Sequence, residues 1–265
     1  MKNPRAVGIA LALAGVLAAC SDSTGPNGSG NLTVNFDVLS VTPAAISGLS
    51  ATEAAAAALA VDGDNGTLTI DDIWLVVDEF KLERVKDACE EVVDQNDDDD
   101  CEEFELPPFF VSVPLEGEGA GEIGADVPRG TYEELKFETK APDDDGDDAT
   151  LLKGIQDNHF EDWPAEASML VVGTFTPADG VDPIPFRVYF DAEVKVELEF
   201  EEGEPLVIEE GGEYSVTVFI DPAIWFVNDD GTVDDLTAYD YDATGEVFKF
   251  EAKFEDGVTK IELDD

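Results

Sequence analysis

Between Phe186 and Phe200 the chain reads FRVYFDAEVKVELEF, and eight apolar side chains take every second position. Phe186, Val188, Phe190, Ala192, Val194, Val196, Leu198 and Phe200 share one face of an extended chain, and Arg187, Asp191, Glu193, Lys195, Glu197 and Glu199 share the other. A helix would scatter these groups around its axis, whereas a strand collects them on one side. The pattern predicts a single long strand in an antiparallel sheet with one dry and one wet face.

The same period recurs along the chain. Leu32, Val34, Phe36 and Val38 mark a first strand, and residues 67–85 (TLTIDDIWLVVDEFKLERV) mark a long one with a bulge at Asp71-Asp72. Phe109 to Leu115 form another, limited at its start by Pro107 and Pro108. Residues 131–140, 167–176, Tyr214 to Ile220, Phe248 to Phe254 and Val258 to Leu263 supply the rest. Helical signals are few. Ser50-Ala51-Thr52-Glu53 has the form of a capping box before an alanine run to Ala60. Asp221-Pro222 is the start of a single helical turn through Phe226, with the aspartate as cap and proline at the first position. The expected fold is all-β: an antiparallel β-sandwich, immunoglobulin-like or transthyretin-like, of roughly ten strands with one or two short helices.

The amino end sets the expected location. Lys2 and Arg5 precede an apolar run from Val7 to Ala19, which is short for a bilayer span and suits a secretory signal. The run ends in Leu17-Ala18-Ala19-Cys20, which resembles the lipobox of bacterial lipoproteins and implies lipidation of Cys20. Residues 1–19 are then the signal peptide, 20–31 the lipidated cysteine and a Ser/Gly/Pro/Asn tether, and 32–265 the sandwich. Several acyl chains on one residue give stable anchoring. Ser21 stands where an inner-membrane retention signal carries aspartate, so the expected location is the outer membrane, facing the periplasm or the surface.

Charge narrows the partners. With 14 basic and 63 acidic residues the formal net charge is −49, and loss of Lys2 and Arg5 with the signal peptide takes it to −51. Such a surface repels phosphate backbones, so nucleic acid is excluded as a partner. A solubility surface, divalent-cation sites and a footprint for a basic partner all remain compatible with it. Cys89 and Cys101 are an even pair in an exported chain and read as a disulfide. That bond would close the 13-residue loop CEEVVDQNDDDDC against the repulsion of its own carboxylates, with about 3 kcal/mol from loop closure.

Several of these features occur together in one family: Cys20-Ser21-Asp22-Ser23-Thr24-Gly25-Pro26, the strand LTIDDIWLVVDEFKLERV, the acidic Cys89–Cys101 loop, Val127-Pro128-Arg129-Gly130-Thr131-Tyr132, and Asp221 to Phe226. Over most of residues 32–255 the chain resembles uncharacterised bacterial lipoproteins grouped under a domain of unknown function with a transthyretin-like or immunoglobulin-like sandwich. The resemblance implies the fold and no mechanism.

Candidate chemistry is sparse. Asp62 to Gly66, Asp143 to Asp148 and Asn228 to Gly231 have the oxygen density that calcium requires, as does the run Asp97 to Asp100. Asp97, Asp98, Asp99, Asp143 and Asp145 are the candidate calcium ligands. An EF-hand alignment fails in the three Asp-Gly loops, because its first ligand position falls on Val61, Ala141 or Phe226. Asp and Gly also serve as hairpin turns, and the sequence leaves both readings open. Carboxylate pairs are too numerous to mark a glycosidase site, and His159 is the one histidine, placed in a loop. Trp74, Trp163, Trp225, Phe109, Phe110, Phe186 and Phe190 fit core packing better than a sugar-stacking platform, and Trp163, in the irregular stretch 156–166, is the best candidate among them for an exposed aromatic. The expected function is a lipid-anchored module of the cell envelope with a non-catalytic binding or structural sandwich, with calcium as a candidate stabiliser and an envelope protein or a glycan as the partner. The alternatives are a carbohydrate-binding module, which needs two or three exposed coplanar aromatics, and an envelope hydrolase.

Overall fold

A computed structural model describes residues 28–38, 58–85, 103–115, 121–180, 182–200, 204–250 and 257–264. Among these lie fourteen strands, and they build the all-β sandwich that the alternation predicts. In chain order they are β1 (Ser29–Val38), β2 (Leu59–Gly63), β3 (Gly66–Arg84), β4 (Glu103–Leu106), β5 (Phe109–Val113), β6 (Gly121–Pro128) and β7 (Gly130–Thr139). Helix α1 (Gly146–Asn158) follows, then β8 (Met169–Pro177), β9 (Ile184–Asp191), β10 (Val194–Glu199), β11 (Leu206–Ile208) and β12 (Glu213–Ile220). A 3-10 turn over Pro222–Phe226, a second over Leu236–Tyr239, helix α2 (Tyr241–Thr244), β13 (Phe248–Lys249) and β14 (Val258–Asp264) complete the chain. No described helix is long and apolar enough to cross a membrane.

The smaller sheet has the order β14-β12-β1-β6. The larger is arranged around β3, whose 19 residues outrun any single partner. One edge of β3 pairs successively with β2, β5 and β4, and the other with β8 and then β7. Outside β8 and β7 lie β9 and β10, end to end. Pairing is antiparallel except between β1 and β12 and between β9 and β13, which run parallel. The dry face of β1 (Leu32, Val34, Phe36, Val38) packs on Leu68, Ile70, Ile73, Leu75, Val77, Phe80 and Leu82 of β3 in one continuous core. Phe36 meets Phe137 of β7 edge-on across the sheets, with ring centres 6.0 Å apart.

The bulge expected at Asp71-Asp72 is present: the register with β8 shifts between Ile70 and Asp72. A second shift, between Val77 and Glu79, inserts Asp78. Each extra residue restores the inward phase of the apolar set, so Ile73 and Phe80 point into the core after a pair of acids.

Three expectations are corrected. Residues 186–200 are two strands, parted at Ala192-Glu193, because the partner changes there from β8 to β7; the alternation of buried residues survives the break. The tether is shorter than its composition implied, since Ser29, Gly30 and Asn31 already pair with β6. The alanine run does not stay helical to Ala60, since Leu59 and Ala60 belong to β2; residues 39–57 lie outside the described set. The turn after Asp221 forms as expected, and the Asp221 carboxylate accepts from the Ala223 amide at 3.1 Å.

Candidate functional site

The outer face of the large sheet is not uniformly wet. Trp74 and Val76 of β3, Phe110 of β5, Leu170 and Val172 of β8 and Tyr189 of β9 point away from the main core and form a second one. Neighbouring residues divide here: Phe109 packs towards the main core and Phe110 towards the outer cluster, as the pleat of a strand requires.

The cover over this cluster is helix α1 and the irregular chain after it. Leu151, Leu152 and Ile155 supply the helix's apolar side, and Phe160, Trp163 and Ala167 follow. Asp147 and Asp148 lie in the first turn, where negative charge complements the helix dipole. Trp163 is 1% exposed, which corrects the expectation that it faces solvent. Its indole N–H donates to the Ala167 carbonyl at 3.0 Å, and its own carbonyl accepts from Gln156 Nε2 at 2.9 Å. A buried indole requires such a partner, and this segment provides it from its own backbone.

Arg187 fastens the other side of the cover. Its guanidinium donates to both oxygens of Asp162, at 3.1 and 2.6 Å, and to Asp242 at 2.6 Å. It also lies over the rings of Tyr189 and Tyr241, at 5.6 and 5.7 Å. The hydrogen bond from Arg187 holds the Asp162 carboxyl below its ordinary range. Burial raises the Tyr189 phenol, and the nearby Asp162 charge adds to the effect.

Between cover and sheet runs a groove of about 490 Å³. One wall is Pro107, Pro108, Phe109 and Phe110; the other is Asp147, Thr150, Leu151, Gly154, Ile155, Asn158 and His159. The second set follows helical three- and four-residue spacing, so a single stripe of α1 faces the cleft along its length. Gly154 lies midway, and a β-carbon placed on it would meet no atom within 4 Å. Phe110 is stacked on Trp74 at 5.1 Å and 14°, and the exposed His159, just past the helix end, has its ring 5.4 Å from Phe110 and 5.7 Å from Trp74. The groove thus has an aromatic and aliphatic floor, an acid at one end, and an amide and an imidazole at the other. Its volume is in the range of small-molecule sites.

Cys20, Cys89, Cys101, Asp97, Asp98 and Asp99 are outside the described residues. Asp143 is exposed and accepts from Lys140 Nζ at 3.2 Å, and its amide donates to Asp148 at 3.1 Å. Asp145 is the N-cap residue of α1 and makes no side-chain capping hydrogen bond. Lys140 also lies 3.8 Å from Asp78. Burial, then the charge of Asp148, push the Asp78 carboxyl up to about 6, against the opposing pull of Lys140. Asp78 does not line the groove.

The other two Asp-Gly loops dock on each other. Asn65 exchanges two hydrogen bonds with the Val233 backbone, at 2.8 and 2.9 Å, and the Asp64 amide donates to the Gly231 carbonyl at 2.9 Å. Asp62 and Asp230 accept from Thr67 and Thr232, so their carboxylates are used within turns. Among the described residues no group of three or more His, Cys, Asp or Glu side chains is placed to hold a metal ion.

The groove was not read from the sequence. Its signal is faint: Leu151, Leu152 and Ile155 have helical spacing behind a run of aspartates, and a Pro-Pro-Phe-Phe segment lies forty residues earlier.

No protein-family model matches the chain, and no curated protein matches it. Among solved structures it is similar to MbnP from Methylosinus trichosporium, at 12% identity and a TM-score of 0.40, over 76% of this chain and 80% of that one.

Proposed function

We propose that this chain is a lipoprotein of the bacterial outer membrane, anchored through Cys20, whose sandwich is a non-catalytic binding module with its site in the groove along α1. The groove carries the reading. A helix stripe with a glycine at its centre leaves a cleft open beside aromatic rings already ordered by their neighbours, with room at Gly154 that a long side chain would occupy. A cleft of this kind binds by shape and apolar contact. The carboxyl raised furthest among the described acids, Asp78, is directed at Lys140 and not at the cleft, which favours binding over acid–base chemistry.

The test is a thermal-shift screen of metabolites and glycans against the protein and its Gly154→Leu variant. The reading requires at least one compound that raises the melting temperature of the natural chain and leaves the variant unmoved. A panel that moves both alike, or neither, overturns it. Replacement of Cys20 by serine is expected to release the protein from the membrane fraction, and retention there would refute the anchor. Calcium is judged by melting temperature at fixed ionic strength: a rise specific to Ca²⁺ adds cation sites, and equal rises with any salt mean screening.

A further inference from the structure

We propose that the ligand of the groove is a small organic cation with an apolar body, an inference that rests on the groove being the binding site. Three observations lead there. First, the ionisable rim: Asp147 lines the cleft, the imidazole of His159 lies at the opposite end, and no described lining residue is a lysine or arginine. Second, the amino end of α1 is unfavourable to an anion. Backbone N–H groups at a helix start attract negative charge, but Asp147 and Asp148 already occupy the first turn. Third, the chain carries a net charge of −49, so the potential around the cleft concentrates cations and depletes anions.

The floor decides what kind of cation. Phe109, Phe110 and Leu151 present aromatic and branched aliphatic surface, which a bare metal ion cannot use. A ligand with an aryl or alkyl body buries that surface, while its charged head is placed by the carboxylate and by the aromatic ring, whose face attracts cations. The size of the cleft suits such a molecule and is small for a protein chain.

The experiment is isothermal titration of the full chain at low salt with three probes of one shape: benzyltrimethylammonium, neutral 2-methyl-1-phenylpropan-2-ol, and anionic phenylacetate. The cation is expected to bind at least tenfold more tightly than the neutral probe, equivalent to about 1.4 kcal/mol, with no detectable binding of phenylacetate. Asp147→Asn is expected to cut the preference below threefold, and Gly154→Leu to abolish binding of cation and neutral probe alike. Asp147 is exposed and Gly154 half-buried, so each variant is checked for an unchanged melting transition. Equal binding of cation and neutral probe, blocked by Gly154→Leu, overturns the cation inference and leaves the groove as the site. A cation preference that persists in Gly154→Leu reports only the ion atmosphere and also overturns it. So does a failure of every probe to bind, while the groove itself is judged by the compound screen above.

Discussion

The two halves of the large sheet share the same strands and the same main core, yet their outer faces differ. In the first half, around Trp74 and Val76 of β3, Phe110 of β5, Leu170 and Val172 of β8 and Tyr189 of β9, the outer face is apolar and lies beneath α1 and Trp163. Over the second, where β3 runs beside β7 and β4, it is a lattice of charge in water. There Lys81 is ringed by Glu79, Glu103 and Glu105, and Lys136 by Glu83, Glu134 and Glu197. The two lysines are themselves register partners, a repulsive arrangement that the six glutamates reverse. The covered half holds the groove and is stabilised by area. The open half is stabilised by pairing, and in a chain this acidic its few lysines separate glutamates that would otherwise repel.

Breaking the covered half is expected to cost most. Trp163→Ala empties a fully buried indole site and should lower stability by about 3–5 kcal/mol, read from denaturant unfolding, with earlier loss of the α1 helical signal. A cost below 1 kcal/mol would mean that the cover contributes little. Arg187→Ala comes next, at about 1 kcal/mol, because it removes the ion pairs with the solvent-exposed carboxylates of Asp162 and Asp242 and the contact over Tyr189 and Tyr241. Its pH dependence sharpens the comparison. Asp162 has a lowered pKa in the folded state, so its contribution is full above the unfolded value near 4 and is lost as the pH falls below that value through the lower folded one. The variant should lack that acid limb.

At the border of the two halves the expected sign reverses. Asp78, raised to about 6, is harder to ionise folded than unfolded, so stability should fall as the pH rises from about 4 to 6. Asp78→Asn should therefore stabilise the protein at pH 7, on the order of 1 kcal/mol, with the gain fading by pH 4; a melting-temperature series across that range checks it. Smallest is Lys136→Ala in the open half, at about 0.5–1 kcal/mol at low salt, and the loss should disappear near 0.5 M NaCl. A salt-independent loss would show that Lys136 stabilises by packing its stem.

The pattern of residues made much of this legible. In Ile70-Asp71-Asp72-Ile73 the apolar phase slips by one, and a bulge is the economical way for both isoleucines to stay inside. Val77-Asp78-Glu79-Phe80 carries the same mark and the second bulge, so that signal was available and unused. Helix α1 was harder to see: Gly146 and Gly154 weaken its propensity, and its apolar side is three residues deep, so packing against the sheet has to stabilise it. Trp163 was misplaced for a related reason. A residue in an aperiodic stretch has no face, and burial comes to it from what it lands on.

From its residues alone this chain determined which side of each strand is dry, where the longest strand must kink, and that its carboxylates stay hydrated, because alternation and charge are written locally. The assembled structure decided that half of the nominally wet face is covered and that a cleft remains beneath the cover. Those outcomes depend on contacts between segments tens of residues apart, such as Phe110 with Trp163 and Arg187 with Asp242. A period of two records the face to which a side chain belongs, and carries no record of what will later rest on it.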